Sequence, residues 1–379
     1  MRKSKVLIAV GICVLLTFGG FAAYQVMHAG ANAKDEGLGL SLNQGTKPRE
    51  KSKSKEERPE DPVRGKALRD ISHRWESLAA NGSTGEELMA QQKLLASEAI
   101  ATLGPSDEFL KFLDFLEKKR ANDIRDWVIK TGAAELFIGE KASSAREWVV
   151  TLSNRQLRES FAALAGSAFK GTDAEMKTYL TSFGSDDHGQ SATLVGYCSR
   201  LAQSDPDGAL ATFRALKPPK VEMGGIAGVM AAMPPTADFV KISGTFPDDS
   251  KSLAKEARSS LLRAWASSDP KAAAQYVLSN SKVAFPAQMA VVVDTWADKD
   301  SGAAAAWLGA LSAGACKDEG EAALVRHWNP RDPSKAWQYV GQVGDWDRRV
   351  AMATLVFNEW KKADEAAATQ AWINLFPQK

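Results

Sequence analysis

Acidic residues at a near-constant interval are the first candidates for chemistry in this 379-residue chain. Asp173, Asp205, Asp238, Asp269, Asp300, Asp332 and Asp364 follow one another at steps of 32, 33, 31, 31, 32 and 32 residues. Carboxylates that converge can serve as general acid and base or hold a hard cation. Carboxylates one structural unit apart line up instead of converging, so helix capping is their expected role. Asp186-Asp187-His188-Gly189 is the most polar knot. It could bind a cation, but its place between two helical runs reads as a turn followed by an N-cap. His28, His73, His188 and His327 lack metal-ligand spacing, and no Cys-x-x-Cys or His-Glu-x-x-His occurs. There is no Gly-x-Ser-x-Gly elbow and no phosphate-cradling glycine loop. No catalytic, cofactor-binding or metal-binding residue is assigned, and no cofactor is expected.

Three cysteines complete the reactive inventory: Cys13, Cys198 and Cys316. Cys198 shares its helical column with Leu262, Val293, Val325 and Phe357, so it reads as a small buried hydrophobe. It stands 118 residues from Cys316, more than three periods. Helices stacked at 8–10 Å would part the two by something like 30 Å. A disulfide needs Cα atoms about 4.4–6.8 Å apart, so the two are expected not to be bonded to each other.

What surrounds each aspartate says what it is for. Pro206, Pro270 and Pro333 follow directly, and an Asp-Pro pair is an N-cap followed by a first-turn proline. Four residues after the marker stand Ala209, Ala273, Ala304, Ala336 and Ala368. Seven or eight after it come Leu180, Phe213, Phe246, Tyr276, Trp307, Tyr339 and Trp372, on the same helix face. Before the marker runs an amphipathic stripe ending in Trp265, Trp296, Trp328 and Trp360, with Phe169 and Leu201 in that place earlier. Gly314 and Gly344 fall between helices, where a tight turn is needed. Each unit is read as two antiparallel helices of about ten to fourteen residues. The tryptophans read as filling between successive units, not as a row offered to a ligand.

A fixed period of this size is the mark of stacked supersecondary units. The fold class is therefore all-α: an α-solenoid of antiparallel helix pairs with a period of about 32 residues. Residues 144–379 form the array, with Trp148 early in its first helix. Residues 61–143 form an N-terminal helical region, in which Thr84 and Ser106 suit N-caps of runs 86–103 and 107–118. No alternating strand pattern appears. The Trp-x-x-x-Asp-Pro-x-x-Ala pattern resembles tetratricopeptide-like α-helical repeats, in the form found in exported bacterial proteins. That resemblance implies protein binding on a concave face, and it carries over no individual binding residue.

The beginning of the chain places it. Arg2, Lys3 and Lys5 precede an apolar run from Val6 to about Tyr24, with no Lys, Arg, Asp or Glu until Lys34. Residues 1–33 thus read as a signal sequence or a transmembrane anchor, with the basic end in the cytoplasm. About 19 residues suffice to span a bilayer, while Ala31-Asn32-Ala33 offers a cleavage site. The body then lies outside the cytoplasm: anchored in the periplasm, or secreted if the signal is cleaved. Residues 34–60, charged and with three leucines as their only large aliphatics, read as a disordered linker. Apolar content of 44% and charged content of 25% are those of a globular protein. Of 48 basic residues three lie in 1–33, which leaves 45 against 46 acidic in the remainder, a net of −1. A near-neutral body is not the basic footprint of a nucleic-acid binder. The expected function is a non-enzymatic protein-interaction scaffold of the cell envelope, its protein partner unidentified. The alternative is an envelope enzyme acting on peptidoglycan or glycan within a helical superstructure.

Overall fold

The computed structural model describes residues 61–80, 85–217, 225–245, 252–280 and 286–377. The apolar run 1–33, the linker 34–60, Cys13, His28, Thr84 and Phe246 lie outside the described residues. Within them every regular element is helical, so the all-α expectation holds there. The chain divides into two compact units, one running to Ala232 and the other from Met233.

The first unit opens with α1 (Pro62–Ala80), α2 (Gly85–Leu103), α3 (Asp107–Lys118) and α4 (Asn122–Lys130). Ser106 caps α3 as its type suggests, its hydroxyl accepting from Phe109 N at 3.2 Å. Two short 3₁₀ turns lead into α5 (Ala142–Thr151), α6 (Arg155–Ala168), α7 (Asp173–Ser182) and α8 (Asp187–Ala202). α9 (Pro206–Leu216) and α10 (Ile226–Ala231) complete the unit. One apolar core runs from Ile71 to Ala192, with Phe109, Phe112, Leu116 and Phe161 at its centre. The N-terminal helices therefore share their core with the first helices of the aspartate series. Trp148 stands late in α5, not early, because that helix ends at Thr151, three residues on.

The packing of α6 on α8 is among the closest between described helices. Its cause is in the sequence of both helices. A Cβ built on Gly166 would lie 2.0 Å from the Thr193 carbonyl oxygen, and one on Gly196 would lie 2.1 Å from that of Ala163. Glycine is needed there for close approach of two backbones. Ala162, Ala165 and Ala192 extend the same small-residue seam and are buried.

The second unit contains α11 (Phe239–Ser243), α12 (Ser252–Ser268), α13 (Pro270–Ser279) and α14 (Pro286–Gly309). Beyond these come α15 (Ala315–Trp328), α16 (Pro333–Val340), α17 (Trp346–Ala363) and α18 (Glu365–Leu375). Lengths from 5 to 24 residues depart from the expected ten to fourteen. The longest is two helices joined at Asp300, whose φ of −153 and ψ of 85 are not helical. The shortest, α10 and α11, flank Pro234 and Pro235. Pro234 holds the register that tryptophan holds later, and proline cannot continue a helix.

The aspartates act as single-residue joints. Asp205, Asp238, Asp269, Asp300, Asp332 and Asp364 each accept a backbone N–H three residues on, at 2.8–3.0 Å. At Asp205, Asp269, Asp332 and Asp364 the residue's own N–H also closes the preceding helix, donating to the carbonyl four residues back at 2.7–2.9 Å. Five of them share one backbone conformation, φ −138 to −153 and ψ 79 to 90. Asp173 is the exception to the capping expectation. Thr172 caps α7, in a reciprocal capping box with Glu175. The Asp173 carboxylate is thereby released to accept Tyr197 Oη–H at 2.8 Å and Thr212 Oγ1–H at 3.4 Å.

The alanines four residues past the joints, from Ala209 to Ala368, are all buried. So are Trp265, Trp296 and Trp328, while Trp360 is half-buried. Their ring partners lie on the helix after the joint, which is where filling between successive units places them. Trp265 meets Tyr276, Trp296 meets Trp307 and Trp328 meets Tyr339, with centroids 5.3–5.7 Å apart. Each pair bridges the two helices that one aspartate joins. Trp265 also stacks on the preceding helix, its ring lying at 8° to that of Phe239, and Trp360 meets Trp337 of its preceding helix edge-on at 6.2 Å.

Candidate functional site

Two short helices of the first unit present matching stripes. Ala142, Ser143, Arg146, Glu147 and Val150 recur at helical spacing along α5, and Glu175, Thr178, Tyr179 and Ser182 do the same along α7. Between the stripes lies a groove of about 670 Å³, lined also by Ala168, Phe169, Phe137 and Ile138. Its volume falls within the 300–1,000 Å³ usual for ligand sites. The surroundings are mainly apolar. Phe169 and Tyr179 lie ring over ring, centroids 6.4 Å apart and planes at 4°. Ile138 leaves 43% of its surface open.

Why the groove exists follows from the joints around it. Phe169 ends α6, and the stretch up to Thr172 carries Lys170 and Gly171 before the capping box starts α7. Tyr179 Oη–H reaches back to the Arg146 carbonyl at 3.4 Å and ties the walls together. Burial holds the Tyr179 phenol well above its ordinary range, so it remains a neutral donor. Glu175 is held below the usual carboxylate range, first by the backbone N–H and then by the hydroxyl of Thr172. Those bonds measure 2.7 and 2.9 Å.

One residue on the wall is a cation with no bonded anion, though Glu175 on the facing wall feels its charge. The Arg146 guanidinium lies over the Phe169 ring at 5.3 Å, and its N–H groups make no hydrogen bond or ion pair among the described residues. Sequence reading did not single out Arg146 or the groove. The α5 stripe spells only a short amphipathic helix, and its partner stripe lies some thirty residues on.

The polar knot is structural. Asp186 stands at the N-cap position of α8 but makes no capping bond. Its carboxylate accepts Arg158 Nε–H at 2.6 Å instead, because α6 lies against that end of the helix. Arg155 bonds buried Glu159 at 2.6 Å and lies 3.0 Å from His188 Nδ1. The knot thus clips α6 onto α8. His327, buried on α15, lies 3.7 and 3.6 Å from Asp294 and Asp298 on α14. His73 is exposed on α1. No group of three or more His, Cys, Asp or Glu side chains among the described residues is placed to hold a metal ion. No described helix is long and apolar enough to cross a membrane.

Cys198 and Cys316 are free and buried. Burial, reinforced by Asp173, pushes the Cys198 thiol up to about 12. The neighbouring Tyr197 phenol is also pushed up to about 12, by burial and by its bond to Asp173. Folding thus favours the protonated forms. Their contribution is complete below the ordinary thiol range near 8.5 and is lost as pH rises toward about 12. Urea midpoints at pH 7 and pH 10 should therefore show a fall for the wild type and a smaller fall for Cys198→Ala. Equal falls would contradict the buried-thiol origin.

No family model, no curated protein and no solved structure matches the chain.

Proposed function

We propose that this chain is a protein-interaction scaffold of a bacterial cell envelope, and that the groove between α5 and α7 receives a segment of its partner. One observation carries the reading: a mainly apolar concavity between two stripes of helix, with a guanidinium on its wall that makes no hydrogen bond or ion pair among the described residues. Grooves between helices take peptide segments through apolar burial, with a few polar groups fixing register. The recurring aspartate joints support a solenoid of paired helices with a period near 32 residues, akin to tetratricopeptide-like repeats. The basic and apolar beginning of the sequence supports export and attachment through residues 1–33.

Ser143 and Thr178 are exposed residues on opposite walls, so tryptophan at both fills the groove without touching the core. Affinity capture from solubilised envelope should recover a partner with the wild type. The Ser143→Trp, Thr178→Trp variant should lose at least about tenfold of it, since displacing apolar contacts of this size costs more than 1.4 kcal/mol. Recovery unchanged by the double variant would move the binding surface elsewhere.

A further inference from the structure

We infer that the groove selects a segment in which an acidic side chain sits among aliphatic ones, with Arg146 receiving the carboxylate. This rests on the reading of the groove as a partner-binding site. The charges around Arg146 lead to it. Glu175, the acid on the facing wall, accepts two bonds from Thr172 on one carboxylate oxygen and feels the charge of Arg146 without bonding it. Glu147 is next to Arg146 in sequence and about 100° away around the helix, and it is exposed at the rim. Lys170, on the rim beside Phe169, makes no ion pair or hydrogen bond among the described residues either. Two cations and two acids thus line the groove, and neither cation makes a hydrogen bond or ion pair among the described residues.

The guanidinium is also held ready. The guanidinium carbon lies 5.3 Å from the centre of the Phe169 ring, a cation–π contact that uses none of the N–H fork. A carboxylate can take two parallel bonds from that fork, and the half-buried setting makes them stronger than on open surface. The apolar walls ask for aliphatic side chains on either side. Val150 lies one helical turn from Arg146 on the same stripe, and Ile138 and Phe137 also line the groove. A neutral aliphatic segment would bury the guanidinium without compensation, and a basic one would add repulsion. An acidic-aliphatic segment satisfies both.

An array of twelve-residue peptides with varied aliphatic frames around a central Glu, Gln or Lys, probed with the purified full-length chain, tests this directly. The Glu frames should be retained about tenfold over their Gln partners, the factor a charge-assisted bond confers, with Lys frames weakest. Arg146→Gln should bring the Glu and Gln frames level, while Arg146→Lys keeps part of the preference. The Ser143→Trp, Thr178→Trp variant should lose all frames. Equal retention of Glu and Gln frames by the wild type, with loss on the double variant, would overturn the inference and leave the groove reading intact. Retention of frames that survives the double variant, or of none, would overturn both.

Discussion

Gly196→Ala should lower the stability of the first compact unit by about 3–5 kcal/mol, enough to unfold much of it at physiological temperature. The added Cβ would meet the Ala163 carbonyl oxygen at 2.1 Å, a separation that real contacts do not reach. The obstacle is backbone, so no rotamer change relieves it; α6 and α8 must move apart. Their seam is among the closest between described helices, and parting it opens gaps along Ala162, Ala165 and Ala192. Gly166→Ala should do the same from the other side. Gly309→Ala is the informative control. Nothing lies within 4 Å of the position its Cβ would take, and it sits in the last turn of α14. That change should be neutral or stabilise by up to about 1 kcal/mol, as alanine does over glycine in a helix. Urea melts of the three variants should give two large losses and no loss. A Gly196→Ala midpoint within error of wild type would mean that the helices do not approach as described.

The second large effect concerns the joints. Replacing Asp269, Asp300, Asp332 and Asp364 together by alanine should cost the second unit about 4 kcal/mol, roughly 1 kcal/mol for each lost cap. The four share no bonding partner, so their costs should add. Asparagine caps as well as aspartate, so the corresponding fourfold asparagine variant should retain most of the stability. This comparison separates capping from charge. If the aspartates worked through charge, the asparagine variant would fall as far as the alanine one. Circular dichroism during urea unfolding reads both.

Much of this was legible because each feature is local. Asp-Pro is a cap wherever it stands, and an alanine four residues later faces the same way whatever it packs against. Ser106, the helices 107–118 and 365–375, and the burial of Cys198 follow from neighbours within one or two turns. The misreadings came where contacts are distant. Asp173 looked like its six successors, but Thr172 one residue earlier caps first, and the freed carboxylate then meets Tyr197 and Thr212 on other helices. Gly166 and Gly196 carry a signal, a glycine inside a helical pattern, yet it shows close approach without naming the helix that approaches. The groove is legible least of all. Its two walls are unremarkable helices whose stripes lie more than thirty residues apart in the chain, and the unbonded fork of Arg146 is visible only once the two walls are brought together.

The most direct measurement is site-specific photo-crosslinking in intact cells producing the full-length chain. A photoreactive phenylalanine at Val150, inside the groove, is compared with the same group at Leu94, an apolar residue 72% exposed on α2. Discrete protein adducts are expected from position 150 and not from position 94, and they should vanish in the Ser143→Trp, Thr178→Trp background. Adducts equal at both positions, or unchanged in the filled-groove background, would contradict the assignment of the groove as the surface that binds.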